Sequence, residues 1–127
     1  MEIEKLKKIV YAEDEPDIRM IGEMALQMEG WQIVACASGL EAIQIIKAQM
    51  PDLVILDVMM PGLDGPTTLK VLRENPKTAS IPIVFMTAKV QSTEIDHFKK
   101  IGAHAVIPKP FDPMTLVNDI KKIWLTI

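Results

Sequence analysis

Five residues, spread along the chain, carry side chains suited to phosphorus chemistry: Glu13, Asp14, Asp57, Thr87 and Lys109. Each group follows a short apolar run. Asp57 ends the unbroken stretch Leu53-Val54-Ile55-Leu56, and Pro61-Gly62 soon after it cannot continue a regular element. If the runs are parallel strands, all five polar residues lie on one edge of a sheet, where open α/β sheets bind ligands. Three carboxylates within reach of one another repel and need a cation. Hard oxygen ligands with room for waters suit Mg2+. A carboxylate beside Mg2+, a hydroxyl and an ammonium form a site for a transferring phosphoryl group. The metal and Lys109 would neutralise its equatorial oxygens, and Thr87 would donate a hydrogen bond. No general base is needed if Asp57 itself attacks and becomes an aspartyl phosphate.

Singly, each residue has a plainer reading. Glu13-Asp14 suits a helix start, Asp57 a turn, Lys109 a solvated surface and Thr87 a strand end. Their joint placement at the ends of apolar runs favours the site.

The elements that must position them can be read in order. Residues 6–12 predict a first strand, followed by Glu13-Asp14-Glu15 and Pro16, a proline suited to a first helical turn. Ile18, Ile21, Ala25 and Met28 recur at helical spacing up to Gly30, a cap. Trp31 to Cys36 is a second strand. Ser38-Gly39-Leu40-Glu41 fits a capping box ahead of a helix carrying Ala42, Ile43 and Ile46. The Asp57 strand comes next, then a helix opened by Asp64-Gly65-Pro66 with Asp64 as its N-cap. Ile81 to Met86 is a fourth strand. A helix with Ile95 and Phe98 stops at Gly102. Ala103 to Pro108 is a fifth strand, at an edge that can spare a donor. Asp112-Pro113 caps a last helix striped by Leu116, Val117, Ile120, Ile123 and Trp124. This alternation predicts one α/β domain over residues 1–127: a doubly wound (βα)5 parallel sheet with helices on both faces.

Composition agrees. Of the 127 residues 49% are hydrophobic, which excludes disorder. A net charge of −3 argues against a general nucleic-acid binder. The single cysteine, Cys36, excludes an internal disulfide and a cysteine zinc site, and its apolar setting predicts a buried thiol. No apolar stretch reaches the roughly 18 residues of a membrane span. The N-terminus lacks a signal-peptide core, so a cytoplasmic location is expected. The nine methionines, among them Met20, Met24 and Met28, are expected to fill the core. His97 and His104 are expected as surface or partly satisfied residues, neither as a phosphorelay histidine.

The chain resembles the receiver domain of two-component response regulators from about Lys7 to Trp124. The resemblance rests on Ile9-Val10-Tyr11-Ala12-Glu13-Asp14-Glu15-Pro16, on Leu56-Asp57-Val58-Met59-Met60-Pro61-Gly62-Leu63-Asp64-Gly65, on Met86-Thr87-Ala88 and on Lys109-Pro110-Phe111. It implies a flavodoxin-like strand order 2-1-3-4-5. It implies that Asp57 accepts phosphate from a histidine kinase or histidine phosphotransfer protein. Asp14 would ligate Mg2+, Glu13 would hold a metal-bound water, and the Met59 carbonyl would be a further ligand. Lys109 would bridge Asp57 and the phosphoryl group, across a cis Lys109–Pro110 bond. Thr87 would carry the switch to the helix-4/strand-5/helix-5 surface near Lys89, Lys99, Lys100 and Val106. Output would pass to a separate effector protein, since no output domain is expected in this chain, and the domain would be a monomer or weak dimer.

Two positions depart from the family. Val106 stands where an aromatic is usual, which predicts switching through the backbone and neighbours such as Phe85 and Phe98. Met59 offers no hydrogen bond to a hydrolytic water, which predicts a persistent phosphoryl group. Other functions fit the residues less well. A phosphohydrolase of the haloacid-dehalogenase type needs a second acid where Met59 stands. A degenerate binding module sits badly with intact Asp14, Asp57, Thr87 and Lys109. A flavin site lacks a phosphate-cradling loop after the first strand.

Overall fold

The structure, a computed structural model, describes residues 2–127. Five strands, β1 (Lys8–Ala12), β2 (Gln32–Cys36), β3 (Leu53–Asp57), β4 (Ile83–Thr87) and β5 (Ala105–Pro108), form one parallel sheet in the order β2-β1-β3-β4-β5. The helices are α1 (Pro16–Gln27), α2 (Gly39–Gln49), α3 (Gly65–Glu74), α4 (Ser92–Lys100) and α5 (Leu116–Trp124).

Alternate residues of each strand serve different helices, which is why the runs show no polar alternation. Val10, Val54, Leu56 and Phe85 face a core with Ile43, Ile46, Leu69, Leu72 and Phe98 of α2, α3 and α4. Ile9, Ile55, Val84 and Met86 face a second core with Leu26, Ile120 and Trp124 of α1 and α5. Each fully buried side chain in these layers stabilises the fold by about 1.5–3 kcal/mol relative to exposure.

The strand order reverses between β1 and β3, so the crevice beyond their carboxyl ends is the expected ligand position. Ala12 pairs with Leu56, and continuing that register sets Glu13 beside Asp57.

Several boundaries move. β1 begins at Lys8 and not Leu6, because the Lys7 and Lys8 amides both donate to the Asp52 carboxylate at 2.9 Å. β4 begins at Ile83: Pro82 has no N–H for the ladder. β5 begins at Ala105, since the Ala103 amide is spent on Phe98 O at the end of α4. Asp112 accepts the Met114 amide at 2.8 Å and holds a turn, with α5 starting only at Leu116. Ser38 accepts the Glu41 amide, but the Glu41 carboxylate reaches the Ala37 amide instead of closing the box.

The α1 face is corrected too. It buries Gly22, Ala25 and Leu26, while Ile21 and Met28 are exposed. The Tyr11 ring explains this: a Cβ on Gly22 would lie 2.6 Å from its hydroxyl oxygen, so α1 seats its smallest residue there. Met20, Met24 and Met28 are therefore surface residues, not core fillers; of the methionines described, Met60 and Met86 are the buried ones. Cys36 and Trp124 are buried as expected. His97 is exposed, and His104 is partly exposed and pairs with Thr126 Oγ1 at 3.0 Å.

Candidate functional site

The predicted residues converge at the carboxyl edge of the sheet. Glu13 is fully buried; its backbone N–H donates to Cys36 O on β2, and its Oε2 accepts the Glu15 amide. Asp57, the last residue of β3, is 3% exposed. The Lys109 ammonium reaches in from the junction after β5, donating to Glu13 Oε1 at 2.7 Å and to Asp57 Oδ2 at 3.1 Å. The Lys109–Pro110 bond is cis. Thr87, also buried, ends β4, and its carbonyl accepts the Lys109 amide at 2.9 Å. Its hydroxyl oxygen accepts the Lys89 amide at 3.1 Å.

Glu13, Asp14 and Asp57 each place a carboxylate oxygen so that all three lie within 4.8 Å of one another. Octahedral oxygen ligands about 2.1 Å from an ion stand roughly 3–4 Å apart. The three carboxylates thus fit a small hard dication after a modest contraction. Asp14 is half-buried, which leaves a solvent side for waters. The Met59 amide donates to Asp57 Oδ1 at 3.3 Å, and Met59 is 70% exposed.

Electrostatics divides the two buried acids. Burial pushes the Asp57 carboxyl up, the neighbouring Glu13 raises it further, and Lys109 only partly offsets them, leaving it at about 7. Burial also raises Glu13, but its bonds from Lys109 and the Glu15 amide outweigh that and hold it below the usual range. Lys109 loses solvation yet is raised, because two carboxylates face it. One ammonium neutralises one acid, and the shorter bond marks Glu13 as that acid. Asp57 carries the uncompensated charge that a dication would satisfy.

Two further residues shape the site. Arg19, one turn into α1, donates to Glu13 O at 2.8 Å and fixes the bend after β1. Gly65 packs directly on the end of β3: a Cβ there would lie 2.9 Å from Asp57 O and from Val58 Cα. Val106 is half-buried against the α2–α3–α4 core, beside the edge-to-face pair Phe85–Phe98 at 5.2 Å.

The geometry has close counterparts. Residues 9–121 match the family model of the response regulator receiver domain. The chain is 41% identical over 123 residues to the ycf27 protein of Cyanophora paradoxa, named as a transcriptional regulator, covering 97% of this chain and 50% of that one. It is 30% identical to the transcriptional regulatory protein CseB of Streptomyces coelicolor, covering 91% and 48%. It therefore spans about half the length of these curated relatives. Among solved structures, the chemotaxis response regulator CheY4 of Vibrio cholerae superposes with a TM-score of 0.87 at 27% identity, covering 93% of this chain and 98% of that one. A response regulator from Desulfuromonas acetoxidans gives 0.85 at 26% identity, covering 95% and 98%. Sheet order, the acidic edge and the family match agree: the chain belongs to the response regulator receiver domain family of two-component systems.

Proposed function

We propose that this domain is a Mg2+-dependent phosphoacceptor, with Asp57 as the residue modified. One carboxylate oxygen of Asp57 attacks the phosphorus of a phosphohistidine; the O–P bond forms as the P–N bond breaks, and the electron pair stays on the imidazole nitrogen. Glu13, Asp14, Asp57 and the Met59 carbonyl would hold the ion, which supplies charge neutralisation to the phosphoryl oxygens. Lys109 balances the charge from the other side and Thr87 donates its hydroxyl to the transferred group. The observation that carries this reading is the convergence of three carboxylates and one ammonium on the end of β3.

The donor, a histidine kinase or phosphotransfer protein, needs a footing beside Asp57. An apolar cleft of about 270 Å3, lined by Ile18, Ile21, Phe111 and Pro113, adjoins Lys109 and offers one. The output is control of a separate partner or of further segments of a longer protein. Relatives about twice as long, named as transcriptional regulators, support a transcriptional output outside this domain. The expectation of no nucleic-acid contact is thus confined to the domain itself. Among the described residues no helix is long and apolar enough to cross a membrane. Turnover of external phosphate esters is not expected, since no acid stands at position 59.

Borohydride reduction of the protein after treatment with acetyl phosphate and Mg2+ tests the assignment. Peptide mapping is expected to find homoserine in place of Asp57; reduction at another carboxylate would overturn it.

A further inference from the structure

The exposed methionines are not scattered. Among the described residues Met20, Met24, Met28, Met50, Met59 and Met114 are exposed, and four of them stand on α1, at its cap, or in the turn before α5. A single apolar residue on a surface is ordinary. Several methionines together offer what leucines would not, a set of soft, polarisable thioether sulfurs.

α1 sets three of them in a row. Met20, Met24 and Met28 recur every fourth residue, a spacing that stacks side chains on one helix face about 5–6 Å apart at Cβ. Met28 caps the helix and keeps helical backbone, its amide donating to Met24 O at 3.3 Å. The row therefore runs through the last turn of α1.

The fourth comes from a distant segment. Met28, 87% exposed, and Met114, 86% exposed, line one cleft of about 270 Å3 where the end of α1 meets the start of α5. Ala25, Pro113 and Val117 give it apolar walls. The Met114 backbone is fixed, its amide donating to Asp112 Oδ1 at 2.8 Å. The carboxylate on this cleft, Glu29, is paired with Lys121 of α5. The cleft thus presents neutral sulfur and an acid already matched. Mg2+ and Ca2+ need oxygen ligands and are poorly served there. Thioethers select Cu(I), a soft ion whose single charge neutral ligands can hold. Cys36 does not compete: it is buried, and burial pushes its thiol up to about 11, so it offers no thiolate.

We propose that Met24, Met28 and Met114 form a binding site for a soft monovalent cation, Cu(I) or its congener Ag(I), joining α1 to the turn before α5. The ion exchanges the ligands it arrives with for three sulfurs; no bond of the protein breaks and no electron moves. Met20, two turns from Met28, stands outside the site. No residue of the acidic edge takes part, so the inference is independent of the phosphoacceptor reading. Pro113 lines both this cleft and the one beside Lys109, which makes the two neighbours.

Ag(I) is the probe, since it needs no reductant. Calorimetric titration of the whole chain with silver nitrate in chloride-free buffer is expected to show one equivalent bound, undisturbed by excess Mg2+. In protein labelled with 13C at the methionine methyls, the Met24, Met28 and Met114 signals are expected to move together and stop at that equivalent. Those of Met60 and Met86, both buried, are expected to stay in place. Met28→Leu and Met114→Leu keep the apolar surface and remove one sulfur, and each is expected to weaken binding by about tenfold or more. Met20→Leu, Met59→Leu and Cys36→Ala share no ligand with the site and are expected to change it by less than about twofold. Methyl shifts shared equally by Met50 and Met59, affinity unchanged in Met28→Leu and Met114→Leu, or binding lost in Cys36→Ala would each overturn the site. Should Cys36→Ala not fold, the methyl spectra of the unmutated protein still decide.

Discussion

Lys109 Nζ lies 2.7 Å from Glu13 Oε1, joining residues 96 positions apart in the sequence across the mouth of the site. That bond decides which buried acid is neutralised. Glu13 takes the nearer share of the Lys109 ammonium, and Asp57, at 3.1 Å, takes the remainder.

Replacing Lys109 by Met should leave two buried carboxylates without a counter-charge. Losing one partner of a buried pair commonly costs about 3–5 kcal/mol, and proton uptake by Asp57 should reduce this to about 2 kcal/mol. Phosphorylation should slow by about 100-fold, because one cation facing the phosphoryl oxygens is gone. Thermal unfolding in chelator and the rate of labelling by acetyl phosphate check the two effects; an unchanged labelling rate would contradict the role given to Lys109.

Asp57 should make the metal-free protein less stable as pH rises. Its carboxyl is raised to about 7 by burial and by Glu13, so the folded state favours the neutral acid. That contribution is fully present below the unfolded value, about 3.9, and is lost as pH rises through about 7. Asp57→Asn cannot ionise. In chelator it should exceed the wild type by about 2 kcal/mol at pH 8, the gain shrinking steadily toward pH 4. Denaturant unfolding at both pH values checks this; a gain that grows at low pH contradicts it.

Gly65 and Tyr11 separate close packing from polar satisfaction. Gly65→Ala puts a methyl 2.9 Å from β3 backbone that cannot move aside, and should cost about 2–3 kcal/mol and slow labelling of Asp57. The Tyr11 hydroxyl is buried with no hydrogen-bond partner among the described residues, so Tyr11→Phe should be neutral or stabilise by about 1 kcal/mol. Chemical denaturation measures both; a large loss in Tyr11→Phe would show that the hydroxyl has a partner in solution.

On the phosphoacceptor reading, Met59, 70% exposed, would offer an attacking water no hydrogen-bonding side chain. The aspartyl phosphate should therefore be long-lived, and Met59→Asn should shorten its lifetime by about tenfold. Loss of label after removal of acetyl phosphate measures this. Equal lifetimes would place the control of hydrolysis elsewhere.

Much of this was legible in the sequence, for a physical reason. A strand buried on both faces must be apolar throughout, so Leu53–Leu56 announced its layer, and a carboxylate ending it announced the edge. Glu13, Asp57, Thr87 and Lys109 each follow such a run, and the register of parallel strands does the rest. What stayed hidden depends on contacts between distant segments. Asp52 shortens β1 by taking two of its amides. The Tyr11 ring selects Gly22 as the contact of α1, against a periodicity that pointed to Ile21 and Met28. Arg73 reads as one more surface cation, yet its guanidinium donates to the carbonyls of Ala79, Ile81 and Gly102.

The central claim is that Glu13, Asp14 and Asp57 share one divalent ion so that Asp57 can bear phosphorus. Intact-protein mass after acetyl phosphate, with Mg2+ or with chelator, tests it most directly. A single added phosphoryl group that requires Mg2+ and vanishes in Asp57→Asn is the expected result. Modification that is indifferent to the metal, or that survives Asp57→Asn, would contradict the account.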